Sequence, residues 1–234
     1  MKFTKRKFIS LNEQQRHKKS AEVLRRMYNE LQEWMSLAPL PAESSEQHVA
    51  DRYHWHCNKA HISLREHNLL PRVQRGDRAC GAPPLPLAIY LDNIRSAYNV
   101  GSIIRTTEAF PLGTVYYSDG MVSPDHKQVK DASMGADQWV SSHQNTPLSA
   151  LPRPIIAIET TEESTPYDKF LFPDICTIVM GNEEYGCSEK TLLIADFYVS
   201  IPLVGRKNSL NVATAYAIIA AEIRRQHDNT SREN

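Results

Sequence analysis

The chain has 234 residues, 41% of them hydrophobic, and its 27 basic and 27 acidic side chains cancel to zero net charge. That length suits one ordinary α/β domain plus an appendage, and that apolar content supports a packed core and excludes a disordered chain. No apolar run is long enough to cross a bilayer, and Met1–Lys7 is basic without the apolar core of a signal peptide, so a cytoplasmic protein is expected.

Charge is unevenly spread. Near the N-terminus Lys2, Lys5, Arg6, Lys7, Arg16, Lys18, Lys19, Arg25 and Arg26 face only Glu13, Glu22 and Glu30, an electrostatic handle for phosphates on an acidic-leaning body. Ser10-Leu11-Asn12-Glu13 fits a capping box, and Leu24, Met27, Tyr28, Leu31 and Met35 recur at helical spacing. The pattern predicts one amphipathic helix from about Asn12 to Leu37, with its stripe packed and its basic residues available to a partner. Residues 38–45, with two prolines and a small polar run, read as a linker. His54-Trp55-His56-Cys57, followed by His61 and His67, has zinc-ligand residue types but the spacing of no standard finger or ribbon, so no metal is expected. These residues either pack a small helical piece, the favoured reading, or touch RNA, with Tyr53 and Trp55 able to stack on a base. Cys57, Cys80, Cys176 and Cys187 form no Cys-x-x-Cys pair and are expected to be reduced thiols.

A second break, Gly81-Ala82-Pro83-Pro84-Leu85-Pro86, separates a mainly helical extension, residues 1–82, from a larger domain, residues 83–234. There Leu87–Leu91 is an apolar run of strand length, followed by the polar loop Asp92-Asn93-Ile94 and a helix near 99–110. Asn99 and Gly101 open that helix, and Arg105 lies within its first two turns, near enough to the loop to clamp a phosphate. Strands follow at Thr114–Ser118, at Ile155–Ile158 with Glu159 just past its end, and at Ile175–Met180. The last runs into Gly181-Asn182-Glu183-Glu184-Tyr185-Gly186, whose glycines permit a tight turn, and a helix near 188–195. The final strand, Phe197–Ile201, leads through Pro202-Leu203 and a polar turn to Ser209-Leu210-Asn211-Val212 and a helix near 210–226; Ser209 or Asn211 would cap it. Strands alternating with helices predict an α/β fold, a mainly parallel sheet with helices on both faces, and strand ends that turn into helix starts are where such folds bind ligands.

In this order and spacing the segments resemble the SpoU/TrmH family of RNA ribose methyltransferases, in the SPOUT superfamily. Asn99, Gly101 and Arg105 fall on its first motif, Gly181-Asn182-Glu183 with Gly186 on its second, and Ile201-Pro202-Leu203 with Ser209-Leu210-Asn211-Val212 on its third; Ala132-Ser133-Met134-Gly135-Ala136 echoes a segment between the first two. Glu184 and Ala213 depart from the family pattern, where small residues and Ser are common. The resemblance implies a C-terminal trefoil knot, a homodimer with the active site near its interface, S-adenosylmethionine as cofactor, and transfer or ribosomal RNA methylated on a ribose 2′-hydroxyl. It implies Arg105, Asn99, Glu183, Ser209 and Asn211 as catalytic-site residues and Gly181, Ile201, Leu203, Leu210 and Glu159 at the cofactor. A non-catalytic RNA-binding protein on the same fold is the alternative; a nucleotide-dependent oxidoreductase is disfavoured because no Gly-x-Gly-x-x-Gly follows a predicted strand.

Overall fold

In the computed structural model, residues 4–24, 28–40, 44–62 and 81–233 are described, and Lys2, Arg25, Arg26, Met27, His67 and Cys80 lie outside them. The chain divides into two compact units, Met1–Ala79 and Cys80–Asn234.

The first unit is helical. α1 (Lys5–Ile9) is capped by Thr4, and α2 (Glu13–Val23) by Asn12, whose side chain accepts from the Gln15 N–H while Gln15 reaches back. The box thus sits two residues later than Ser10 suggested, because Ser10 ends α1 and donates its hydroxyl to the Lys7 carbonyl at 2.8 Å. The single long helix expected from Asn12 to Leu37 is two: α2 closes at the cap residue Leu24, and α3 (Tyr28–Trp34) is separate. α4 (Glu46–Lys59) packs on α2. His56 and Cys57 are buried on α4, and His56 Nδ1 lies 2.9 Å from Nδ1 of the buried His17. His56 and Cys57 therefore pack between helices, while His54, Trp55 and His61 are exposed.

The second unit runs β1 (Leu87–Leu91), α5 (Ala97–Ala109), β2 (Gly113–Tyr117), α6 (Lys127–Ser133), β3 (Ser142–His143), β4 (Ile155–Ile158), β5 (Thr165–Pro166), β6 (Thr177–Met180), α7 (Glu189–Ile194), β7 (Phe197–Ser200) and α8 (Val212–Glu233). All pairings are parallel, in the order β3-β2-β1-β6-β4-β7-β5. β1 is buried at every position because both faces are covered. Ile89, Leu91, Val115 and Ile178 face one core with Ile103 and Ile104 of α5 and Tyr216 and Ile219 of α8; Ala88, Tyr90, Ala157 and Val179 face the other with Leu148, Cys187 and Leu192 of α7. α6, β3 and β5 go beyond the predicted elements. The free thiols Cys57, Cys176 and Cys187 are all buried, and burial pushes Cys176 up to about 12. No helix among the described residues is long and apolar enough to cross a membrane.

Candidate active site

Three loops leave the carboxyl ends of β1, β6 and β7, and one line of hydrogen bonds ties them together. The first loop ends at Ser96, whose hydroxyl caps α5 by accepting from the Asn99 N–H. The second supplies Glu183, whose carboxylate accepts from the Arg95 N–H at 3.0 Å, the Ser96 N–H at 3.0 Å and the Asn99 side-chain amide at 2.9 Å. The third supplies Asn211, which donates to Asn99 Oδ1 at 3.0 Å and caps α8 by accepting from the Ala213 and Thr214 N–H groups. Asn99 is buried, with one end of its amide committed to each neighbour. Partial burial works to raise the Glu183 carboxyl, but the Arg95 N–H and then the Asn99 amide and Ser96 N–H outweigh it and hold the group below the usual carboxylate range. Glu183 is thus an ionised tie between loops, with both oxygens occupied.

The turn carrying Glu183 is braced from below. Asn182 and Gly186 exchange backbone hydrogen bonds across it, at 2.8 and 3.0 Å, and Gly186 takes φ +73°. A Cβ on Gly186 would lie 2.1 Å from Glu159 Oε2, and its φ of +73° strains any side chain, so a glycine suits both the turn and its close approach to Glu159. Glu159 accepts from the Cys187 N–H at 2.9 Å and the Thr160 N–H at 3.0 Å. Asp92, buried at the end of β1, accepts from the Ser188 N–H at 2.8 Å and the Thr191 hydroxyl at 2.7 Å, and so joins β1 to the start of α7.

The expected residues fall into three groups. Asn99 is bonded to both Glu183 and Asn211. Gly181 and Glu159 end adjacent strands β6 and β4, and Ile201 follows β7 on the other side of β4; Leu203 and Leu210 are exposed in the loop between β7 and α8, as is Ser209. Arg105 stands farther along α5, partly buried, with Nη1 2.8 Å from the Met134 sulfur at the end of α6. α6 lies close enough to α5 for this because Gly101 has no side chain: a Cβ there would meet the Val129 carbonyl at 2.5 Å and Ala132 Cβ at 2.6 Å. Sequence reasoning assigned no role to Asp92 or Arg95. Asp92 could have been suspected as a carboxylate directly after an apolar strand, but its partner Thr191 is far away in sequence.

The arrangement offers a charged guanidinium, an ionised but saturated carboxylate and a rigid strand-end platform, which are means of positioning and charge stabilisation. The model of the "SpoU rRNA Methylase family" matches residues 86–221. The tRNA (guanosine(18)-2'-O)-methyltransferase of Escherichia coli strain K12 is 28% identical over 160 residues, covering 63% of this chain and 68% of that protein. A putative TrmH family tRNA/rRNA methyltransferase of Staphylococcus saprophyticus is 28% identical over 156 residues, covering 62% and 60%. Among solved structures, the A. aeolicus TrmH/SpoU tRNA modifying enzyme superposes with a TM-score of 0.57 at 26% identity, covering 64% of this chain and 79% of that one. The AdoMet-bound rRNA methyltransferase from Sinorhizobium meliloti shares the fold, with a TM-score of 0.54 at 24% identity over 61% of this chain. The match spans 60% of the Staphylococcus protein and 57% of the Sinorhizobium one.

Proposed function

The chain belongs to the SpoU rRNA Methylase family, and we propose that it transfers a methyl group from S-adenosylmethionine to the 2′-hydroxyl of a ribose in transfer or ribosomal RNA. The observation that carries this reading is the line Glu183–Asn99–Asn211, which brings three strand-end loops into one platform. We read the protein as a cytoplasmic homodimer with the segments after β6 knotted, residues 83–234 forming the catalytic domain and residues 1–82 contributing RNA contacts.

The loops fit the methyl donor. Leu203 and Leu210 expose 37% and 41% of their surface in the loop that follows β7, and Gly181 and Glu159 close the two strands beside it. Exposed apolar side chains beside backbone polar groups suit an adenine and an amino-acid moiety. When bound, S-adenosylmethionine supplies an electrophilic methyl group. Ile201, Leu203, Leu210 and Gly181 would hold it, with Glu159 fixing the turn at Gly186 that borders it.

Arg105 acts on the RNA side. A guanidinium keeps its proton in proteins, so Arg105 does not deprotonate the hydroxyl. It orients the ribose and its phosphate and stabilises the negative charge that develops on the 2′-oxygen. Glu183 is no proton acceptor either, since its oxygens are committed to three donors. Its part, with Asn99, Asn211 and the neighbouring Ser209, is to keep the platform in the geometry that brings the hydroxyl and the methyl group into line.

The test is transfer of labelled methyl from S-adenosylmethionine to transfer RNA and, separately, to ribosomal RNA from cells lacking the protein, followed by mapping of 2′-O-methylated nucleotides. Label on ribose in one pool supports the reading. Cofactor binding without transfer to either pool overturns it, and an Arg105→Ala variant with full activity overturns the role given to Arg105.

A further inference from the structure

A groove of about 1170 Å³ opens beside α7 at the carboxyl ends of β1 and β2, lined among others by Tyr90, Ser118, Asp119, Asn145, Tyr185 and Lys190. It lies on the core face of Tyr90 and Leu192, opposite the face that α5 and α8 cover. None of the residues assigned above to the methyl donor lines it.

Its chemistry is that of a site for a base with hydrogen-bonding edges. Ser118, Asn145 and the Tyr90 phenol are neutral polar groups, and burial, then the neighbouring Asp92, pushes the phenol up to about 12, so it remains a donor at neutral pH. The charged lining leans acidic, with Asp92, Asp119 and Glu189 against Lys190, and would repel a phosphate placed inside. The cation for a phosphate is instead associated with the Tyr185 side of the groove. Arg95 Nη1 pairs with Glu184 Oε2 at 2.7 Å, the two side chains being 68% and 72% exposed. The same guanidinium lies 6.0 Å from the centroid of the Tyr185 ring, which lines the groove and is 54% exposed. An ion pair so exposed contributes little and is readily given up. A phosphate offers Arg a two-point, charge-assisted contact in return. Glu184, one of the two residues that depart from the family pattern, therefore holds an arginine in reserve.

We propose that this groove is a nucleotide subsite for the RNA, in which an unpaired base beside the target nucleoside enters along Tyr185 while Arg95 exchanges Glu184 for that nucleotide's phosphate. The inference rests on the RNA reading above, and it assigns to the Arg95 and Tyr185 side chains RNA contacts separate from the platform, to which Arg95 contributes only its backbone N–H. Stacking on an aromatic ring with a basic side chain nearby is how single-stranded RNA is commonly held.

The test uses the full chain, fluorescently labelled bulk transfer RNA at several salt concentrations, and S-adenosylmethionine affinity measured in parallel. Arg95→Ala should weaken RNA binding about tenfold and reduce the salt slope by about one. Glu184→Gln should tighten binding about twofold by releasing the arginine. Tyr185→Leu should weaken binding about tenfold without changing the slope, and Tyr185→Phe should restore it. Cofactor affinity should stay within about twofold in all four, since none lies among the residues assigned to the donor. Arg95→Ala and Tyr185→Leu proteins that bind RNA like the parent overturn the subsite, as do losses that run parallel with lost cofactor affinity. If those variants lose RNA binding while the parent transfers no methyl, the subsite stands and the ribose-methylation reading falls. If methylation proceeds with unchanged KM for RNA in both variants, the reading stands and the subsite falls. No RNA binding by the parent overturns both, and a protein partner sensitive to these substitutions where RNA is not would reassign the groove.

Discussion

Glu183 shows how a carboxylate at a strand-end platform can matter through the donors it holds together. Its carboxylate takes three donors from the loop after β1 and the start of α5, and the charge is what satisfies them together. In Glu183→Gln an amide N–H₂ must face one of those donors. Hydrogen bonds to charged groups contribute more than neutral ones, but solvent reaches this residue, so the expected loss is about 1 kcal/mol, or a few degrees in Tm. The activity loss should exceed that, because the line to Asn99 and Asn211 sets the geometry. The pH dependence has a definite sign. The folded-state pKa lies below the ordinary value of 4.5, so the Glu183 contribution is complete above about pH 4.5 and is lost as pH falls through the lower folded value. Acid titration of Tm should show a shallower limb below pH 4.5 in Glu183→Gln than in the parent; identical limbs would mean that Glu183 is not tied as described.

Among the elements, helix contacts that depend on one small residue are the most exposed to substitution. Gly101 lies inside α5, where alanine would ordinarily gain about 1 kcal/mol from helix propensity. Here the added methyl would stand 2.5 Å from a backbone carbonyl of α6, so α6 must move. Overpacking of this kind costs about 1–3 kcal/mol, which outweighs the propensity gain. Gly101→Ala should lower Tm by a few degrees and, by displacing Met134 from Arg105, reduce kcat more than cofactor affinity; a variant with raised Tm would refute the contact. The pair that joins α2 to α4 gives another test. His56 is pushed down to about 3, mainly by burial and then by His17, and His17 is also lowered by burial. Both rings are neutral in the fold, so their contribution is complete above the ordinary 6.5 and is lost as pH falls towards 3. Trp55 lies edge-on to both rings, so its fluorescence in a background carrying both Trp34→Phe and Trp139→Phe should report the transition, and His56→Gln should flatten it. Legibility follows the same physics. β1 and β4 were readable because strands covered on both faces become continuous apolar runs. α6, Lys-Gln-Val-Lys-Asp-Ala-Ser, was not, since it carries almost no apolar stripe and is held by what Gly101 leaves open. The candidate site was readable as three polar turns after apolar strands, whereas the Asp92–Thr191 bond, 99 residues apart, depends on a fold that local pattern does not encode.

For the whole chain, zero net charge conceals an uneven spread of charge between the two units. The basic residues that cluster before residue 30 belong to the first, and every residue assigned to the donor or to the platform belongs to the second. Among the described residues, both hydrophobic cores of the sheet and its covering helices are made from the second unit alone. A chain cut to residues 81–234 should therefore fold and bind S-adenosylmethionine with the affinity of the full protein. It should bind RNA more weakly, because a basic arm supplies phosphate contacts whose loss reduces affinity at all sequences and flattens the salt dependence. At physiological salt a loss of at least about tenfold is expected, with a salt slope smaller by two or more. Unchanged RNA affinity in the shortened chain, with cofactor binding intact, would confine RNA recognition to the methyltransferase unit and leave the basic arm as a solvated surface.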